Sequence, residues 1–84
     1  MPEEEVGHVS DYFARVGVAG IELTSTLKVG DTIHLKGHTT DLQMTVSSMQ
    51  LDRVEIQEGR PGQAIGIKVP DRVRHGDTVY KVVP

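Results

Sequence analysis

Apolar and polar residues alternate with a period of two along most of the chain, which predicts short strands joined by turns. Residues Val6 to Phe13 are rich in β-branched and aromatic types, and Ala14 to Gly17 read as a turn. Ala19, Ile21 and Leu23 share one face of a strand over Val18 to Leu23. After a turn that ends at Gly30 and Asp31, Ile33 and Leu35 point one way while Thr32, His34 and Lys36 point the other. Gly37 to Asp41 turns again. In Leu42 to Ile56 the pair Met44 and Val46 falls out of phase with Met49 and Leu51, so a β-bulge is expected near Ser47 and Ser48. Glu58 to Gln63 reads as a turn, and Ile65, Ile67 and Val69 line one face of the next strand, with Gly66 opposite, where a close neighbouring backbone would exclude a side chain. Pro70 to Asp77 turns once more, with room for one helical turn at Pro70 to Val73, before a last strand from Thr78.

Six or seven strands and no helical period predict an all-β protein. At 84 residues a small closed Greek-key-type β-barrel of about six strands is the expected architecture, because closure removes edges that a small open sheet would have to guard. Residues 6–84 are expected to form this single domain. Residues 1–5 are expected to be a flexible acidic tail, since Glu3, Glu4 and Glu5 repel one another.

Charge modifies this picture locally. The net charge is −3, yet from Arg60 onward five bases (Arg60, Lys68, Arg72, Arg74, Lys81) outnumber two acids (Asp71, Asp77), which predicts a basic face if the fold gathers them. No apolar run is long enough to cross a bilayer, the N-terminus lacks the pattern of a signal peptide, and there is no cysteine. These features point to the cytoplasm, without a membrane partner, a disulfide or a thiolate metal site.

Catalytic motifs are missing from the chain. No Gly-rich run ends in Gly-Lys-Ser/Thr, so no nucleotide is expected, and no Gly-x-Ser-x-Gly elbow presents a nucleophile. His34, His38 and Asp41 have the residue types of a metal site, but Gly37 breaks the spacing, and no metal or other cofactor is expected. The expectation is a protein that is not an enzyme.

The turns also resemble those of a known family. Lys28, Gly30, Asp31, Met49, Glu58, Gly59, Gly62, Gly66, Gly76 and Asp77 stand where the second domain of elongation factor Tu and related translational GTPases has its turns and its Met-bearing strand. The likeness covers roughly residues 6 to 83, and the opening strands look like those of small free-standing translation-factor-like proteins. A similar barrel occurs near the C-terminus of the collagenase-like peptidases. The resemblance implies a translation-type barrel in which Gly30, Asp31, Gly59, Gly62, Gly76 and Asp77 are structural turns. It also implies a non-catalytic module contacting tRNA, ribosomal RNA or an RNA-bound assembly, or a translation or RNA-modification protein. The candidate contact residues are Arg53, Arg60, Lys68, Arg72 and Arg74, with Gln50 and Gln63 beside them, and Tyr12, Phe13 and Tyr80 are the rings available for stacking. The alternative is a protein–protein adaptor barrel docking on a separate enzyme or translation-factor chain without touching RNA.

Overall fold

The computed structural model describes residues 3–83, and every regular element among them is a strand. In chain order these are β1 (Glu3–Phe13), β2 (Val18–Leu23), β3 (Leu27–Lys28), β4 (Thr32–Lys36), β5 (Asp41–Thr45), β6 (Met49–Leu51), β7 (Val54–Ile56), β8 (Glu58–Gly59), β9 (Ala64–Lys68) and β10 (Thr78–Val82). All pairings are antiparallel.

The expected all-β class holds, but the ladder does not close. An eight-stranded sheet runs β5-β4-β10-β1-β2-β9-β6-β7, and β3 and β8 form a separate two-stranded ribbon. The edges β5 and β7 are managed by backbone bonds instead of a shared ladder. The segment after β3 spans both of them. The Val29 N–H donates to the Gln57 carbonyl just past β7, Gly30 N–H donates to Val46 just past β5, and Val46 N–H returns to Asp31. These bonds tie the end of each edge strand to one shared segment.

One face of the curled sheet holds the core. Ala19, Ile21 and Leu23 of β2, Ile33 and Leu35 of β4, Ile65 and Ile67 of β9, Met49 and Val79 are all buried. Val6 and Val9 are both fully buried although their spacing is odd, and a register shift between Glu5 and Gly7 explains it. The extra residue of a bulge resets which face the strand presents. A second shift, between Val9 and Asp11, turns Asp11 outward opposite Gly20. At Gly7 a Cβ would lie 2.3 Å from the Glu22 carbonyl oxygen, so no side chain fits.

Several expectations change here. Ser47 and Ser48 are not a bulge within one strand but part of the break between β5 and β6, which lie far apart in the sheet. Pro70 and Asp71 form a bend with no helical turn, and Val73 beyond them is buried and anchors the loop. Glu3, Glu4 and Glu5 are not a loose tail, since they pair with Val82, Lys81 and Tyr80. Residues 1 and 2, the rest of that expected tail, lie outside the described residues.

Three connections share one geometry. In Lys28–Asp31, Arg60–Gln63 and Arg74–Asp77 the third residue is a glycine at φ 99°, 87° and 93°. In each, the fourth residue's N–H donates to the first carbonyl at 3.1 Å, and its side-chain oxygen accepts from the first N–H at 2.9 Å. Positive φ at the third position is the requirement of a type II turn, which Pro61 at the second position also suits.

Candidate functional site: a glycine-floored trough

Outward-facing positions of four neighbouring strands form a row across the sheet: Asp11 opposite Gly20, Gly20 opposite Gly66, Gly66 opposite Gln50. Two glycines side by side leave the middle of this row without side chains. The next row is a wall, because Phe13 stands opposite Val18 and Val18 opposite Lys68. On the other side His8 and Glu22 form an exposed pair 3.0 Å apart. At the Gly66 end of this row a hollow of about 230 Å³ is lined by Val16, Val18, Ser48, Gln50, Gly66 and Lys68, while at the Gly20 end the Ser10 hydroxyl donates to the Gly20 carbonyl at 3.3 Å. At Gly66 the excluded side chain would meet Val18 Cγ1 at 3.3 Å, a neighbouring side chain where the sequence suggested backbone.

The opposite region of the same surface is filled. His34 of β4 donates from Nδ1 to Glu3 Oε2 at 2.7 Å and from Nε2 to Asp41. Its side chain is only 15% exposed, and Lys36 Nζ lies 3.2 Å from Glu3 Oε1 and 5.6 Å from the Tyr80 ring centre. An imidazole can donate from both nitrogens only when protonated. The bonds to Asp41 and then Glu3 raise the pKa of His34, and the bond from His34 lowers those of Asp41 and Glu3. Asp41 thus partners His34, while His38 is exposed in the following turn. Among the described residues no group of three or more His, Asp or Glu side chains is placed to hold a metal ion. The turn itself encloses about 450 Å³, but only Lys36 to Asp41 line that space.

The residues singled out in the sequence are divided between distant places. Gln50 and Lys68 meet in the trough. Arg60 and Gln63 close one of the type II turns, where Gln63 Oε1 accepts from the Arg60 N–H and the Arg60 side chain lies 3.5 Å from Glu58. Arg53 and Asp52 form the tight β6–β7 turn at φ 67° and 51°. Arg72 follows Asp71 at the far end of β9, and Arg74 opens the turn whose Gly76 bonds Val9. Arg60 and Gln63 precede β9 while Lys68 and Arg72 end or follow it, so the expected basic face is split between the strand's two ends. Gly20, Val16 and Val18 were not singled out. Outward parity marks Gly20 and Gly66 within their own strands, but their pairing depends on which strands become neighbours.

This architecture is that of a small all-β domain, and similar proteins identify where such a domain occurs. The chain superposes with a TM-score of 0.89, at 19% identity, on the C-terminal domain of a protein described as a U32 peptidase from Geobacillus thermoleovorans, covering 95% of this chain and 93% of that one. A selenomethionine variant of that domain gives a TM-score of 0.86 at 19% identity, over 90% and 96% of the two chains. No protein-family model matches. Over 77 residues the chain is 40% identical to an uncharacterized protease of Methanocaldococcus jannaschii, covering 90% of this chain and 19% of that protein. Over 78 residues it is 35% identical to a collagenase of Porphyromonas gingivalis, covering 90% and 22%. The chain therefore spans about a fifth of the length of these curated relatives.

These relatives overturn the translation-factor resemblance and the RNA-contacting module drawn from it, and they give no support to the adaptor alternative. The physical reason is that the quoted glycines and aspartates encode turn geometry, which unrelated small β folds can share. The expectation of a protein that is not an enzyme is corrected with it, since the relatives are named protease and collagenase. A motif absent from 84 residues says nothing about the much longer remainder of those proteins. Among the described residues no helix is long and apolar enough to cross a membrane.

Proposed function

We propose that this chain is the C-terminal β domain of a peptidase of the U32 and collagenase kind, and that its part in that enzyme is to hold extended polypeptide in the Gly20–Gly66 trough. The identities of 40% and 35% to a protease and a collagenase support the first half. The single observation behind the second half is the glycine pair itself, which clears a lane between Asp11 and Gln50 across four strands. A main chain laid there meets Val18 on its apolar side and can bond the Gln50 amide and the Ser48 hydroxyl. The bonds through Val29, Gly30 and Val46 support treating the open sheet as a closed barrel in mechanical terms, so that the lane is a rigid surface. A cytoplasmic setting belongs to the same proposal and rests on the cysteine-free, charge-rich composition.

The test is fluorescence anisotropy with labelled gelatin-derived peptides, using the wild-type chain and Gly66→Phe, with circular dichroism to check folding of both. Filling the floor should abolish saturable binding while the strand spectrum stays. Peptides that ignore the wild-type chain, or bind folded Gly66→Phe equally well, refute the trough.

A further inference from the structure

Lys28, Lys36 and Arg60 lie 3.8, 3.2 and 3.5 Å from a carboxylate, whereas among the described residues Lys68, like Arg15, Arg53, Arg72, Arg74 and Lys81, makes no ion pair. It is also the charged side chain lining the hollow. Just beyond it the Val69 N–H donates to the Gly17 carbonyl at 2.9 Å. That bond sets the Ala14–Gly17 turn, with Arg15, against the segment leading to Arg72. One acid, Asp71, lies in that segment, and its carboxylate already accepts the Arg72 N–H. Beside these cations Phe13 and Val16 are 49% and 57% exposed, and with Val18, which stands opposite Phe13, they form a small apolar ridge. An unpaired ammonium next to an apolar ridge is complementary to a ligand with an anionic and an apolar group side by side.

We infer that the polypeptide segment held in the trough carries an Asp or Glu side chain next to an apolar residue, the carboxylate meeting Lys68 and the apolar group resting on Phe13, Val16 and Val18. This rests on the trough reading and adds its specificity. Asp11 stands at one end of the row and Glu55, opposite Gln50, at the other. Like charges there disfavour further acids at the ends of the segment, which confines the favoured acid to the middle. The lane is open across the sheet, so an internal side chain suits it better than a chain terminus.

Three labelled peptides identical except for a central Glu, Gln or Lys test this on the wild-type chain at low and near-physiological salt. The Glu peptide should bind about threefold tighter than the Gln peptide, the Lys peptide weakest, and the spread should shrink as salt screens the exposed pair. Lys68→Glu should reverse the order, and Arg60→Glu, at the other end of β9, should leave it unchanged. Equal binding of all three peptides overturns the acidic preference while leaving the trough intact. An order that Arg60→Glu shifts as much as Lys68→Glu overturns it too, because net charge would then be the cause. If no peptide binds the wild type, the trough reading falls and takes the preference with it.

Discussion

The corner made by β5, β4, β10 and β1 and the trough across β1, β2, β9 and β6 lie on the same outer surface, but they treat it in opposite ways. In the corner four outward charged side chains are joined to one another within the chain. Asp41, His34, Glu3 and Lys36 form one continuous set of bonds, and it joins strands separated by β10. In the trough two outward positions have no side chain, and among the described residues the neighbouring Lys68 makes no ion pair. Polar groups that satisfy one another hold the sheet in register and have little left for a ligand. A lane emptied of side chains beside an unmatched cation has its contacts still to make. That contrast is why the trough, rather than the histidine cluster, is assigned the binding role.

The comparison is broken most severely from beneath. Met49 is fully buried and pairs with Ile67, directly next to the outward Gln50 and Gly66 pair. Met49→Ala should cost about 2–5 kcal/mol by leaving a cavity under the trough floor. Denaturant unfolding measures the loss. Peptide binding should weaken with it, while hydrogen exchange at the corner of β4 and β5 changes less in the folded state. Equal loosening at both places would mean that the sheet responds as one unit and the two regions are not mechanically distinct.

His34→Ala is the reciprocal change. It removes both donors from the corner and should lower stability by roughly 1 kcal/mol, or about 4–8 °C in Tm for a domain of this size. Trough binding should be unaffected. The same site sets a pH window. The pKa of His34 is raised above 6.5, so its contribution is complete below 6.5 and is lost as pH rises through the raised value. Those of Glu3 and Asp41 are lowered from 4.5 and 3.8, so their contribution is complete above these values and is lost as pH falls through the lowered ones. Stability should therefore be greatest between about pH 5 and 6.5, and His34→Gln should flatten the alkaline side of the Tm profile. An unchanged alkaline limb in that variant would remove His34 as its cause.

The corner also shows what could be read from sequence and what could not. The alternation of Ile33 and Leu35 with His34 marked a half-buried strand, and the inward sets of β2 and β9 followed from the same period. Contact between His34 and Glu3 was not legible, because it depends on β10 entering between β4 and β1 from the far end of the chain. The odd spacing of Val6 and Val9 concealed a bulge whose position only the β10 register reveals. In Leu42 to Ile56 the phase change between Val46 and Met49 was visible, but a bulge and a break between distant strands give the same pattern in sequence. The trough was half legible. Gly66 was noted as outward-facing, and Gly20 has the same parity, yet their adjacency requires the β2–β9 pairing. Function was obscured further because three type II turns account for most of the quoted resemblance.

The finest test concerns Lys36, the corner's counterpart of Lys68. Its ammonium has both Glu3 and the Tyr80 ring, but the side chain is 49% exposed, so water competes for the charge and the stem is free to move. Exposed pairs and cation–π contacts of this kind contribute about 0.5 kcal/mol. Lys36→Met keeps most of the apolar stem over Tyr80 and should change stability by no more than about that amount. It should not alter peptide preference, whereas Lys68→Met should erase the distinction between Glu and Gln peptides. Two lysines on one surface would then separate cleanly, one committed to its own fold and one available to a ligand. If Lys36→Met instead erased the preference, the acidic group would be binding at the corner, and the roles assigned to the two regions would have to be exchanged.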